Sequence, residues 1–102
     1  MIARIWTART TPDQAPGYAE HLQARVLPQL RRLAGYSGAT LLRGDAGGET
    51  EIIVITRWRS FEAVRAFAGT DIEVAVVEDE AAVVLSQYDK RVKHYEIVVE
   101  EV

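Results

Sequence analysis

Four apolar residues in a row, Ile52-Ile53-Val54-Ile55, lie in the middle of TEIIVITRWR, residues 50–59. A strand turns successive side chains to opposite faces, so an unbroken apolar run asks for burial on both. Helices of the same chain can meet one face. The other needs a second apolar surface, and a second copy of the chain is the simplest source. A homodimer is therefore expected.

The segments around this run punctuate themselves. Residues 2–10, IARIWTART, alternate as a first strand, with Ile2, Arg4, Trp6 and Ala8 on one face and Ala3, Ile5, Thr7 and Arg9 on the other. Thr11, Pro12 and Gln14 form a helix start, and Pro16 and Gly17 delay the regular helix to about Gly17. Ala19, Leu22, Val26, Leu30 and Leu33 then recur at helical spacing; Pro28 should kink the helix and Gly35 should end it. Residues 36–43 form strand two, residues 44–48 a glycine-rich hairpin, and residues 50–59 strand three. Ser60 caps a short helix, FEAVRAFA, that stops at Gly69. Thr70-Asp71-Ile72-Glu73 forms a second capping box and predicts a helical piece to about Val77. Glu78-Asp79-Glu80 reads as a solvated turn, residues 81–88 fit helix or extended chain, and residues 91–100 form the last strand.

The order is β-α-β-β-α-β, which predicts an α+β, ferredoxin-like sandwich with sheet order 4-1-3-2 and both helices on one face. Two such sheets packed face to face make a dimeric α+β barrel. The 102 residues make one domain, 1–102, and 48% apolar residues supply a modest core. With 12 Lys+Arg against 15 Asp+Glu, the net charge of -3 gives no nucleic-acid footprint. No apolar stretch reaches membrane-spanning length, and IARIWTART reads as a strand and not as a leader, so a cytoplasmic protein is expected. The chain has no cysteine and only two histidines, His21 and His94, which excludes thiol catalysis, Cys-ligated zinc and a three-histidine metal site within one chain. There is no phosphate-binding glycine loop and no nucleophile elbow.

Strand three runs into Trp58-Arg59-Ser60 and then Phe61-Glu62-Ala63-Val64-Arg65-Ala66-Phe67. A strand, a W-x-S step and a short aromatic-bearing helix resemble the antibiotic biosynthesis monooxygenase family. Ile2-Ala3-Arg4-Ile5-Trp6 and Val92-Lys93-His94-Tyr95-Glu96-Ile97 resemble its small members at either end. The resemblance implies dimeric α+β barrels, among them cofactor-free oxygenases of aromatic polyketides, quinol oxygenases and heme-degrading enzymes. The heme-degrading branch uses an Asn on strand one, a Trp on the helix after W-x-S and a downstream His. Here those places fall to residues near Trp6, to Phe67 and to residues near Val77, so the resemblance argues against heme degradation. It implies a cofactor-independent monooxygenase of small aromatic or polyketide-like substrates, needing neither cofactor nor metal. The alternative is a non-catalytic binding or structural dimer.

The candidate chemistry is a polar group on strands one and four. Arg4 and Trp6 share one strand face, and so do His94 and Glu96. If these strands are neighbours, the four side chains converge. His94 would move a proton near neutral pH, oriented by Glu96. Arg4 would hold an anionic oxygen, and Trp6 would stack on an aromatic ring. The bland alternative is an Arg4–Glu96 ion pair with Trp6 in the core. Tyr18, His21 and Arg25 sit at helical spacing and suit a cavity mouth or a solvated flank. Trp58 and Phe67 are further candidates for an aromatic wall, with plain core packing as the alternative.

Overall fold

In β3, Glu49–Trp58, burial alternates residue by residue. Thr50, Ile52, Val54, Thr56 and Trp58 are buried, and Ile53, Ile55 and Arg57 are half-buried. The computed structural model describes all residues, 1–102. β3 lies between β2, Tyr36–Ala46, and β1, Ile2–Thr10. Two short strands, β4 (Gln87–Tyr88) and β5 (Lys93–Glu96), share the other side of β1. Every pairing is antiparallel, and counting β4 and β5 as one lane gives the expected order 4-1-3-2. The fold is α+β and ferredoxin-like.

The helices cover the face that carries Ile2, Arg4, Trp6 and Ala8. Helix α1 spans Ala15–His21, a π-helical turn spans Leu22–Val26, and α2 spans Leu27–Leu30. The widening has a cause in Pro28, which has no N–H to give and crowds the carbonyl four residues back. Instead, Leu27 donates to Leu22, five residues away. Helix α3, Phe61–Ala68, starts as its sequence dictates: Ser60 Oγ accepts from Ala63 N at 3.2 Å. Tyr18 and Leu22 pack on Ile52 and Val54, while Leu30 and Val64 pack on Ile2 and Trp58. Gly35 lets α3 approach. Its φ is 87°, and a Cβ there would stand 2.5 Å from Ala63 Cβ. The opposite face, with Ile5, Ile53, Ile55, Leu42 and Tyr95, carries no helix.

Three expectations need correction. Strand two runs on to Ala46, and the hairpin closes over Gly47-Gly48 alone, both at positive φ. The expected helix over residues 70–77 is a turn followed by extended chain. Asp71 Oδ1 accepts from Glu73 N, Val74 bridges to Arg91, and a β-branched run follows, so the capping residues close one turn without propagating it. The acidic run is solvated at Asp79 and Glu80 as expected but is not a turn: those two residues open α4, Asp79–Ala82, and Glu78 before it is half-buried.

The last strand is also interrupted. Between its two pairings β1 advances by Trp6 and Thr7 alone, while the partner lane spends residues 89–92. The surplus turns aside to residues 73–75: Ala75 N donates to Lys90 O, and Val92 N to Glu73 O. Beyond Glu96 only Ile97 N still reaches β1, at Met1 O, and residues 98–100 are exposed.

Candidate functional site

Arg4 is placed by the alternation of β1 on the helix-covered face, where only 5% of it is exposed. A buried guanidinium must spend its donors on acceptors. Nη1 donates to Ile72 O and Nη2 to Val74 O, the latter at 2.8 Å. Nη1 also lies 3.0 Å from His94 Nε2, since the sheet register sets His94 directly opposite Arg4. Arginine has no lone pair to offer, so His94 accepts and carries its own proton on Nδ1. Burial first, then the Arg4 charge, lower the His94 pKa, and Glu73 acts weakly the other way. Burial pushes the Arg4 pKa down to about 10, which leaves it charged at neutral pH.

Beside Arg4, between sheet and helices, is a cavity of about 370 Å³. Arg4, Trp6, Val54 and Thr56 form its floor, and Tyr18, His21 and Leu22 its roof. Phe67 and the pair Val76-Val77 close its ends, with Glu78 at the rim. Trp6 is held by Nε1 donating to Asp89 O at 2.8 Å, and its ring lies 5.8 Å from Tyr18. Burial raises the Tyr18 phenol far above its usual range, so it stays protonated. The Arg4 guanidinium sits 5.5 Å from the Phe67 ring centre, within cation–π range. No three His, Asp or Glu side chains gather as metal ligands would.

The expected four-residue cluster is divided. Arg4 and Trp6 line the cavity. His94 touches Arg4 but lies outside the cavity lining, edge-on to Phe61 at 5.8 Å, in an open depression with Glu73 and Tyr95. Glu96 is exposed opposite Ile2, and neither an ion pair with Arg4 nor a hydrogen bond to His94 forms. Its carboxylate lies at the end of the last paired segment, where nothing holds it over the sheet. Trp58 is fully buried, its Nε1 donating to Thr56 Oγ1 at 2.9 Å and its ring stacked 5.4 Å from Phe67. It supports the cavity wall without lining it. Tyr18, His21 and Phe67 do line it, and Arg25 stays outside, near Glu80. Sequence reasoning missed the carbonyls of Ile72, Val74 and Asp89, which every residue type offers equally. It also missed Val76-Val77, whose apolar run was the available signal.

The profile of the antibiotic biosynthesis monooxygenase family matches residues 1–79. The chain belongs to the antibiotic biosynthesis monooxygenase family. No functionally curated protein matches it by sequence. Among solved structures, a candidate antibiotic biosynthesis monooxygenase from Bacillus cereus superposes with a TM-score of 0.72 at 15% identity, covering 100% of this chain and 95% of that one. The heme-degrader MhuD from Mycobacterium tuberculosis, solved with two hemes in its active site, gives 0.68 at 22% identity, with 100% of both chains covered. A Streptomyces coelicolor monooxygenase from the gene ActVA-Orf6, in complex with nanaomycin D, gives 0.64 at 17% identity, covering 99% of this chain and 88% of that one. At these identities the likeness is one of fold. No helix of this family member is long and apolar enough to cross a membrane.

Proposed function

We propose that this protein is a cofactor-independent monooxygenase of a small aromatic or polyketide-like molecule, a single cytoplasmic domain that works as a homodimer. The observation that carries the reading is the cavity itself. Its apolar aromatic walls and single buried cation suit a flat ring system bearing an electron-rich oxygen. Its volume of about 370 Å³ falls at the lower end of the range for ligand pockets, about 300–1,000 Å³. The likeness to a monooxygenase solved with nanaomycin D supports the same substrate class. In this mechanism the substrate supplies the carbanion that reacts with oxygen. The protein removes a proton, holds the ring and keeps water away. Arg4 stabilises the developing oxyanion from the floor. The open sheet face, with Ile53, Ile55 and Leu42, supports the dimer.

Anthrone, whose methylene is acidified by two rings, tests the reading. One O2 is taken up, one oxygen atom becomes the new ring carbonyl, and the other leaves as water with the two methylene hydrogens. Catalytic oxygen uptake by protein free of metal and flavin is expected, with the quinone as product. Saturable binding without uptake would overturn the enzyme reading in favour of the binding protein. That alternative has its own support: Arg4 already spends donors on two backbone carbonyls and on His94.

A further inference from the structure

We infer that His21, backed by Glu80, is the proton acceptor of the cavity, and that the ligand presents to it an ionisable hydroxyl on an aromatic ring. This rests on the reading of the cavity as an aromatic-binding site. His21 is the last residue of α1 before the π-helical turn, a departure from regular pitch that is frequent at functional sites. Its ring is part of the cavity roof, and its side chain is 10% exposed. Nε2 is the one buried side-chain nitrogen or oxygen in the chain without a hydrogen-bond partner. Native structures seldom leave such an atom alone, and a site that awaits a ligand is one reason for it.

The other ring nitrogen decides which ligand group fits. Nδ1 lies 4.0 Å from Glu80 Oε2. A carboxylate on that side draws the imidazole proton to Nδ1 and leaves the Nε2 lone pair free. The missing partner is then a donor, a hydroxyl and not a carbonyl or carboxylate. The distance exceeds a hydrogen bond, as such contacts often do in an empty site. Nε2 is also shielded from solvent, so a ligand hydroxyl reaches it only as the side chains around it give way, with Nδ1 kept towards Glu80.

Four other groups complete the surroundings. Arg25 shares Glu80, with Nη1 3.8 Å from the same Oε2. The Tyr18 ring lies 6.2 Å from the imidazole, and its phenol stays protonated. Glu78 stands at the rim and Arg4 on the floor. In the step itself the ligand O–H bond breaks and an Nε2–H bond forms. The imidazolium is left beside Glu80 and the phenolate shares the cavity with Arg4. No oxidant or co-reactant enters this step.

4-Nitrophenol reports the step directly, because only its phenolate is yellow, and 4-nitroanisole is its non-ionisable twin. At a pH where free 4-nitrophenol is mostly neutral, the wild-type protein should bind both compounds and turn bound nitrophenol yellow. His21→Phe should lower the bound phenolate fraction at least about tenfold, and should weaken nitrophenol far more than nitroanisole. Glu80→Gln, at an exposed side chain that the core does not need, should lower the phenolate fraction severalfold in a folded protein. Both compounds binding with no yellow band, or a yellow band that survives His21→Phe, would overturn the assignment. Neither compound binding to wild type would instead overturn the aromatic cavity on which it rests.

Discussion

Arg4 Nη1 and His94 Nε2 stand 3.0 Å apart across the β1–β5 pairing, a donor facing a lone pair. The contact exists only while His94 is neutral, since a protonated imidazole would aim N–H at a guanidinium. Burial first, and then this neighbouring charge, lower the pKa of His94. Its neutral form contributes stability that is fully present above the ordinary histidine value of about 6.5 and is lost as pH falls through the lowered folded value. Thermal melts from pH 8 to pH 5 should show the midpoint falling below neutrality. In His94→Gln, whose side-chain carbonyl still accepts from Arg4, that fall should be shallower. An identical slope in the variant would refute the assignment.

Removing Arg4 tests the other half of the contact. Arg4→Met fills similar space but leaves the carbonyls of Ile72 and Val74 without their donors. A fully buried orphaned group costs about 1–3 kcal/mol, and these part-buried carbonyls should cost about 1 kcal/mol each, to be read from urea unfolding. Arg4→Lys should recover only part, because one ammonium cannot reproduce the planar fork that spans two carbonyls. Full recovery by lysine would show that charge, and not shape, matters.

Heme should not be degraded by this chain. Phe67 lines the cavity where the heme-degrading branch carries Trp, and the segment that closes the cavity offers Val76 and Val77 in place of a ligating histidine. An absorption titration at stoichiometric heme should give no sharp Soret band and, with a reductant, no bilin-type product. A tight complex that His21→Phe abolishes would reverse this expectation and name the ligand.

The open sheet face predicts a dimer. Burial of about 1,500 Å² in total would fit a stable pair. Ile55 lies near the centre of that face, opposite both Ile5 and Thr40. Ile55→Glu should shift sedimentation from dimer to monomer at micromolar concentration, with far-ultraviolet dichroism retained. A wild-type chain that sediments as a monomer would end the proposal.

What the sequence made legible follows from how local each cause is. The apolar run at Ile52–Ile55 and the cap at Ser60 act within a few residues, and their elements formed where expected; the hairpin formed too, but closed over Gly47 and Gly48 alone. Thr70–Glu73 shows the limit. The same cap chemistry starts a helix or closes a turn, and here Arg4, far away in sequence, holds the carbonyls of Ile72 and Val74. The partners of Arg4 and Trp6 are main-chain oxygens, so no residue type announces them. Nor does any pattern in residues 91–100 mark where the last strand leaves the sheet. That depends on residues 73–75 competing for the same backbone groups.

The detour in the last strand has a consequence for how the molecule opens. The amides of Ala75 and Val92 are bonded to the detour and its partner segment, not to the central ladder. Both depend on carbonyl-bearing chain that Arg4 pins. Under native conditions these two amides should exchange with deuterium together, at a lower free energy than the β1–β3 amides, as one small cooperative unit. That unit carries Val76 and Val77 at its end. Exchange of that kind would let the wall of the cavity open while the sheet beneath stays closed, a way in for a ligand that needs no global unfolding.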